Sequence, residues 1–541
     1  MAATKETVAI PVSGDKNGPG RGRSVWERWP EQAAWKSRAP GVEEVRSLVR
    51  QQVDGLLALV DRSAGVVGFD RFEDDLRRLV FRLARLVSVL FLALWHERLP
   101  VPKKQKVGKA RYRRQPAKGR WLGGFFGKVR YWRYYMHKTN GSGGGYFPLD
   151  ERLGLLADGF SFGALARSVL LATKMSFAAA ALTLDGLLGW SPSTKTIERA
   201  TLGLGRYTQE WFESAPAAEE DGDVLIIQVD SKATPTATEE ELEKRRGERP
   251  PNAHPESARH RGRDKRQRRG PKKRRKKGDK SKNGRAATII TMYTLKTTVL
   301  EDGTPKLLGP VNRWVYASYA PKRHAVAVAR READKRGFTA DSGKTIQVLT
   351  DGDEDLERYF AELFPEAIHT PDIVHVEEYI WKAGRCLHKE ASPRLERWAH
   401  DRIEELYEGK VWDMLETMNE VQHRVRGKTK VKNYGRYLDY ILKRAARMNY
   451  DDLRARDLEL GTGMAEGAVR FVIGQRFDAA GMRWIRERAE PLLQLRCIEI
   501  NGDWDAFLAF AHQRILGEQR KRNPRLQQNR AGPLPTLGLA A

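Results

Sequence analysis

A short apolar run, Val224–Asp230 (VLIIQVD), places the strongest limit on how this chain of 541 residues folds. Aliphatic and β-branched side chains in such a run are typical of a strand buried on both faces, at the centre of a sheet. The run ends in Asp230, and a carboxylate there is costly to desolvate unless it has a partner such as a metal ion. Alternatively, Asp230 simply starts a loop, because Asp favours turns.

A second run of the same kind, Thr345–Thr350 (TIQVLT), is followed directly by Asp351. Two buried-type strands that each end in an acid indicate one site at the edge of one sheet. Glu466, near the start of a predicted helix, offers a third carboxylate. Three carboxylates can hold two Mg²⁺ ions, which together stabilise the attacking and leaving oxygens of phosphoryl transfer. The alternative for Glu466 is a surface pair with Arg470, four residues on.

The composition points to a polyanionic partner. The chain has 97 Lys and Arg against 70 Asp and Glu, a formal net charge of +27. Such an excess favours nucleic acid first and an acidic membrane second. Two cysteines, Cys386 and Cys497, exclude a disulfide scaffold and a zinc site built from several cysteines, and they suit a reducing compartment.

The hydrophobicity pattern predicts a soluble, intracellular protein. The first residues have no apolar segment of the kind found in secretory signals. The most apolar segment, Leu79–Trp95, contains Arg82 and Arg85 and is shorter than the ~20 residues needed to span a bilayer. We therefore expect it to be a buried helix.

Two basic stretches interrupt the patterned segments. Lys103–Arg120 has nine basic residues and no acid, and we interpret it as a linker. Arg259–Arg285 has 16 Lys or Arg and two Asp, within a polar insertion that we place at 232–286 and expect to be disordered. We expect this second stretch to bind DNA phosphates without sequence preference, through residues that include Lys272, Lys273, Arg274 and Arg275.

Residues 150–212 are the best candidate for a DNA-reading module. Helices predicted at 163–174 and 177–188 precede a tight turn and a third helix that starts after Ser193, a pattern typical of a helix-turn-helix. Lys195, Thr196 and Arg199 would then face the groove of DNA. Any bundle of three helices can show the same pattern, so a purely structural role stays open.

Arg130 and Arg133 alternate with aromatic residues in a predicted strand, Val129–Tyr135. Arginine next to aromatic rings suits phosphate pairing and base stacking, and it suits an ordinary sheet surface nearly as well.

The patterns divide the chain into seven parts. They are a disordered basic start (1–41), a helical region with the basic linker (42–121), a helix-turn-helix domain (122–218), a first α/β part (219–390), a helical insertion (391–454), a second α/β part with Glu466 (455–515) and a disordered tail (516–541).

Four segments, in this order, resemble the core of DDE transposases of bacterial insertion sequences, nearest the Kra subgroup of the Mutator-like superfamily. They read VLIIQVDSK, VLTDGDEDLERYFAELFPEA, PDIVHVEEYIW and GTGMAEGAVRFVIGQRFDAAGMRW. The resemblance covers about residues 120–515, and 461–484 is its most specific part. It implies an RNase H-like fold, with a mixed five-stranded sheet flanked by helices and a helical insertion before the Glu.

The resemblance also implies functions for individual residues. Asp230, Asp351 and Glu466 would be the catalytic acids that bind Mg²⁺ or Mn²⁺. Asp372 and His375, from the Asp-x-x-His motif, would support them, although Asp372 can equally be a helix N-cap. Further DNA contacts would come from the motifs GQR and GMRW, at Gln475, Arg476 and Arg483; Trp484 can instead belong to the core.

What the resemblance implies overall is a bacterial cytoplasmic enzyme associated with the nucleoid. It would cut the ends of its own element and join them to target DNA. Its partners would be double-stranded DNA, both the terminal repeats and the target. It would act as a dimer or larger homo-oligomer and would not bind membranes. Two alternatives stay open: a domesticated DNA-binding protein without catalysis, and an RNase H-like nuclease without strand transfer.

Overall fold

The computed structural model describes residues 35–141, 144–156, 158–218, 220–237, 284–478 and 484–522. Three segments that we predicted to be disordered lie mostly outside the described residues: 1–41, 232–286 and 516–541. The described residues form two compact units. The first contains the residues up to Val169, Phe177–Ile197 and those from Ile515 onward; the second contains Leu170–Ser176 and Glu198–Arg514.

The N-terminal part of the chain begins with two long helices, which pack on each other through buried residues such as Val45 and Leu86. Short antiparallel strands follow. The elements are α1 (Val42–Ser63), α2 (Phe69–Arg98), β1 (Lys104–Val107), β2 (Ala110–Arg114), β3 (Lys118–Gly124), β4 (Gly127–Arg133), β5 (Met136–Lys138) and α3 (Pro148–Arg152). Strands β1, β2 and β5 form one sheet, and β3 pairs with β4.

The interpretation of Lys103–Arg120 as a linker was wrong. This segment forms β1, β2 and the start of β3. Tyr112 supplies the buried side chain of β2, with only 3% of its surface exposed. The turn between β1 and β2 places Gly108 at φ 58°, in the left-handed region that glycine occupies without strain.

Helix α2 is longer than the predicted segment Leu79–Trp95, and it passes the length and composition test for a membrane span. In its most apolar window 28% is buried, and most of the other residues of Leu79–Trp95 are half-buried, so the prediction of a buried helix is met in part. Arg85 is nevertheless buried within it and donates a hydrogen bond to the carbonyl of Phe126. One such helix is weak evidence of a membrane span, because core helices pass the same test.

The three helices of the predicted DNA-reading module all form, and a fourth follows them. They are α4 (Phe162–Lys174), α5 (Phe177–Leu188), α6 (Thr194–Gly205) and α7 (Thr208–Ser214). The boundary between the two compact units passes through α4 and α6, so these helices are shared between the units.

A mixed six-stranded sheet, rather than the five strands predicted, is the centre of the second unit. Its elements are β6 (Val224–Ala237), β7 (Gly284–Val299), β8 (Pro305–Ser318), α8 (Lys322–Lys335), β9 (Thr345–Thr350), α9 (Glu354–Leu363) and β10 (Ile368–Pro371). The strand order is β10-β9-β6-β7-β8, and a short β11 (Trp484–Ile485) also pairs with β6. The mixed α/β class is therefore confirmed, with Trp484 in the extra strand.

Strand β6 is buried on both faces, as predicted: Leu225, Ile226, Ile227 and Val229 all have 0% exposure. It runs antiparallel to β7 and parallel to β9. It is longer than predicted, because its pairing with β7 continues from Asp230 to Pro235, so the described ends of the predicted insertion belong to the sheet.

The remaining elements are mostly helical, as predicted for the insertion 391–454. They are α10 (Ile373–Leu387), α11 (Pro393–Tyr407), α12 (Val411–Glu420), α13 (Lys428–Leu442), α14 (Tyr450–Ala455), α15 (Gly463–Ala468), a π-helical turn (Val469–Gly474), α16 (Gln475–Phe477), α17 (Arg486–Ile500) and α18 (Trp504–Arg522). Helix α18 extends through the first seven residues of the predicted disordered tail. One apolar cluster joins the sheet to the insertion helices through Ile226, Leu349, Val376 and Tyr434.

Candidate metal-binding site

Asp230 lies on β6, and Asp351 directly follows the neighbouring strand β9. Strand β6 pairs in parallel with β9 up to Val229 opposite Thr350, and each Asp is the next residue of its chain segment. Parallel neighbours lie about 4.8 Å apart, so the two residues meet at the same edge. Asp351 follows the last residue of β9, as predicted. Asp230 is not at a strand end, because β6 continues to Ala237 along β7.

A buried glutamine connects β6 to the segment that carries Glu466. The side-chain amide of Gln228, 1% exposed, donates to the carbonyl of Gly461 at 3.2 Å. Its oxygen accepts hydrogen bonds from the backbone N–H groups of Met464 and Ala465, both at 3.1 Å. The first turn of α15 is therefore fixed to a position two residues before Asp230.

Asp372 and His375 form a second, linked group. Asp372 has 0% exposure, and its Oδ1 accepts a hydrogen bond from the backbone of Val374, which makes it the N-cap of α10. Its Oδ2 accepts from the Thr462 hydroxyl at 2.6 Å and contacts His375 Nδ1 at 2.8 Å. The backbone N–H of Asp372 also donates to Thr350, beside Asp351. Asp372 is therefore the N-cap of α10 through Oδ1, and its Oδ2 positions His375.

The electrostatics show that these groups act on one another. Burial raises the pKa of Asp230, and the nearby charges of Asp351 and Glu466 raise it further. Burial likewise raises the pKa of Asp351. The hydrogen bond to Asp372 raises the pKa of His375, and the charge of Asp351 contributes. The structure therefore brings all five predicted residues into one electrostatically coupled group.

Three of the five lie close enough to bind one metal ion. Potential ligand atoms of Asp372, His375 and Glu466 all lie within 4.8 Å of one another. Asp230 and Asp351 are not part of this set, so the tightest group shares only Glu466 with the predicted triad. Burial acts to raise the pKa of Asp372, but its hydrogen bonds from His375, Thr462 and the backbone of Val374, together with the charge of His375, lower it overall.

The helical insertion holds the loop behind Asp351. Tyr440 donates to the carbonyl of Asp351 at 3.1 Å, and Arg444 donates to that of Gly352 at 2.8 Å. Arg444, 2% exposed, also forms two hydrogen bonds with the carboxylate of Glu357, at 2.7 and 3.0 Å. Gly352 has φ 89°, and an added Cβ would lie 2.3 Å from the Tyr440 hydroxyl. No local sequence pattern connects positions so far apart, so these residues could not be predicted as part of the site.

Three of the residues predicted to contact DNA are buried or paired within their own unit. Thr196 is buried and bonds to Ser193 Oγ at the start of α6. Arg133 pairs with Asp150 and lies 3.4 Å from the centre of the Phe147 ring, and burial lowers its pKa to about 10. Arg476 is 1% exposed and donates to the carbonyl of Ala172. Each of these side chains is already engaged inside its unit.

The other predicted DNA contacts differ in their exposure. Lys195, Arg199 and Gln475 are exposed. Arg130 is half-buried over the Trp121 ring and donates to the carbonyl of Lys36. The remaining predicted contacts lie outside the described residues: Lys272, Lys273, Arg274, Arg275 and Arg483.

No protein-family model matches this chain, and no curated protein shows significant similarity to it. The resemblance to DDE transposases therefore rests on the sequence motifs quoted above.

Proposed function

We propose that this chain is a DDE transposase that cuts and joins the DNA ends of its own mobile element. The mixed sheet of the second unit, flanked by helices, would be an RNase H-like core. The observation that carries the proposal is the parallel pairing of Val229 with Thr350, which sets Asp230 beside Asp351. Gln228 fixes the helix of Glu466 to the same strand, although more than 230 residues separate them in sequence.

Asp230, Asp351 and Glu466 would hold the divalent cation, Mg²⁺ or Mn²⁺. The donor set fits such an ion, because hard cations take carboxylate oxygens and neither Asp forms an ion pair with a described residue. When bound, the ions would activate the nucleophile and stabilise the charge that develops on the phosphate.

Asp372 and His375 would support this site. Asp372 receives the Thr462 hydroxyl and the His375 ring on one oxygen, which fixes the ring orientation. Because the pKa of His375 is raised, its ring keeps a positive charge to higher pH and offsets part of the charge of the surrounding carboxylates. It can thereby help to keep Asp230 and Asp351 ionised close to each other.

The test uses short duplexes that carry the ends of the element encoding this chain, with a labelled strand and a target plasmid. With Mg²⁺ we expect cleavage at the element boundary, followed by products in which the freed 3′ end is joined to target DNA. Cleavage without joined products would instead identify an RNase H-like nuclease. Binding of the ends without any cleavage, in Mg²⁺ or Mn²⁺, would identify a DNA-binding protein that does not use the site.

End recognition is expected to involve Arg199, which is exposed in the second turn of α6. A bidentate Arg–guanine contact contributes about 1–3 kcal/mol of discrimination. Arg199→Ala should therefore weaken binding to element ends by about tenfold to a hundredfold, and binding to scrambled duplexes much less. Titrations of both duplexes at one salt concentration measure this. Arg436→Ala, an exposed arginine on α13, is the control. Equal losses on both duplexes would assign Arg199 to phosphate contacts or to the fold.

A further inference from the structure

The sheet of β1, β2 and β5 in the first unit has two different faces. Gln105 and Tyr112 are paired neighbours, and both contact Tyr146. Gln105 accepts a hydrogen bond from the Tyr146 hydroxyl at 2.6 Å, and the rings of Tyr112 and Tyr146 meet edge to face at 5.4 Å. This face is packed within the unit.

The opposite face carries cations in register. Successive side chains of a strand point to opposite faces, so the residues on either side of Gln105 and Tyr112 point away from Tyr146. These are Lys104, Lys106, Arg111 and Arg113, and all four are exposed. Lys104 is paired with Arg113 and Lys106 with Arg111, and the exposed His137 of β5 continues the row from Arg113. These four cations are called the cationic face below.

Among the described residues, no acid pairs with this face. Thirteen Lys or Arg and no Asp or Glu occur from Leu99 to Leu149. Within the described part of the chain, none of the four cations forms an ion pair. Like charges directly opposite each other on neighbouring strands destabilise a sheet. The fold therefore keeps an unfavourable arrangement that a polyanion would relieve.

We propose that the cationic face binds the phosphate backbone of double-stranded DNA. Two cross-strand pairs of cations on one face of a sheet offer several phosphate contacts at once, and such contacts are independent of base sequence. The choice of DNA over other polyanions rests on the proposed function, since the substrate of the second unit would be DNA. An anionic membrane is the competing partner, because α2 ends close before β1 in the chain and is long and apolar.

The test replaces the four cations with glutamine (K104Q, K106Q, R111Q and R113Q) and measures the affinity for a random duplex from low to moderate salt, without divalent ions. Each phosphate contact contributes about −0.9 to the slope of log affinity against log salt, so the slope should become shallower by up to about 3.6. The control removes four exposed cations that each pair with an acid: R358Q, K410Q, K443Q and R456Q. Its slope should stay close to that of the parent chain.

Two further readouts make the result decisive. The glutamine variant should melt at the same temperature as the parent or higher, because repulsion between neighbouring strands is removed; lower melting with a shallower slope would indicate damage to the fold and overturn the proposal. An unchanged slope would also overturn it, as would loss of binding to phosphatidylserine vesicles while DNA binding persists. Since no cleavage is measured, failure of the transposase assay would leave this result standing.

Discussion

Asp230→Asn should abolish metal-dependent DNA cleavage, with a loss of about a thousandfold or more. A bound metal ion supplies several kcal/mol of transition-state stabilisation, and each ~1.4 kcal/mol corresponds to tenfold in rate. Asp351→Asn should have an equal effect, because each Asp directly follows one residue of the paired Val229 and Thr350 on neighbouring strands. Rates of strand cleavage on an end-bearing duplex in Mg²⁺ measure it.

The unfolding temperature without divalent ions shows whether a loss of cleavage comes from the lost carboxylate or from unfolding of the variant. Burial raises the pKa of both Asp230 and Asp351 in the folded chain, so their ionised forms disfavour folding at neutral pH. The Asn variants should therefore unfold at the same temperature as the parent chain or higher in the absence of divalent ions. Acidification should stabilise the parent relative to these variants, because protonation of the two groups removes the same unfavourable charge.

The matched control is Asp353→Asn, in the same loop. Asp353 caps α9 by accepting hydrogen bonds from the backbone of Asp355 and Leu356, and Asn caps helices about as well. Cleavage by this variant should stay within a few-fold of the parent rate. A loss as large as that of Asp351→Asn would mean that any change of charge near the loop stops the reaction, and the assignment of Asp230 and Asp351 would fail.

Glu357→Ala should destabilise the second unit by about 3–5 kcal/mol. It removes the carboxylate that pairs with Arg444, whose side chain is 2% exposed, and leaves a buried cation without its partner. Arg444 also holds the loop after Asp351, so cleavage activity should fall as well. Chemical denaturation followed by a probe in the second unit measures the change.

Asp355→Ala is the control for this change, because Asp355 pairs with Arg358 on the same helix but both side chains are more than half exposed. Exposed pairs contribute about 0–1 kcal/mol. A second comparison joins Glu357→Leu with Arg444→Met, which removes both charges. That double variant should be more stable than Glu357→Ala. If Glu357→Ala costs no more than Asp355→Ala, the insertion does not clamp the loop through this pair.

Local patterns predicted most of the regular structure, because apolar periodicity records which face of an element is buried. Strand Thr345–Thr350 and helix Phe177–Leu188 have the predicted bounds. Apolar periodicity did not predict strands that are defined by hydrogen bonding to a neighbouring strand and not by burial of one face. The second half of β6, beyond Asp230, is largely polar, and its strand conformation depends on the neighbouring β7. The strands of 103–120 were missed because their exposed faces carry the charges of a linker.

The site was predictable in part for a similar reason. Acids that directly follow or interrupt buried strands stand out in a sequence, so Asp230 and Asp351 were identified. Contacts between distant segments leave no such mark. Gln228 is a polar residue within an apolar run, and this was the one sequence feature that indicated a contact such as its hydrogen bond with α15. The burial of Arg133 and Arg476 depends on partners at Asp150 and Ala172, which spacing alone does not reveal.

The long pairing of β6 with β7 allows the segment between these two strands to vary in length. Pro235 is paired with Gly284, so the two ends of segment 238–283 leave the sheet from neighbouring strands. Once the ends of a long loop are held together, doubling its length changes the entropy of closure by only about 0.6 kcal/mol. Residues can therefore be gained or lost between these ends while the register around Asp230 is kept. The connection between β6 and β7 is therefore a position in the central sheet where a foreign sequence, such as a fluorescent reporter, can be inserted.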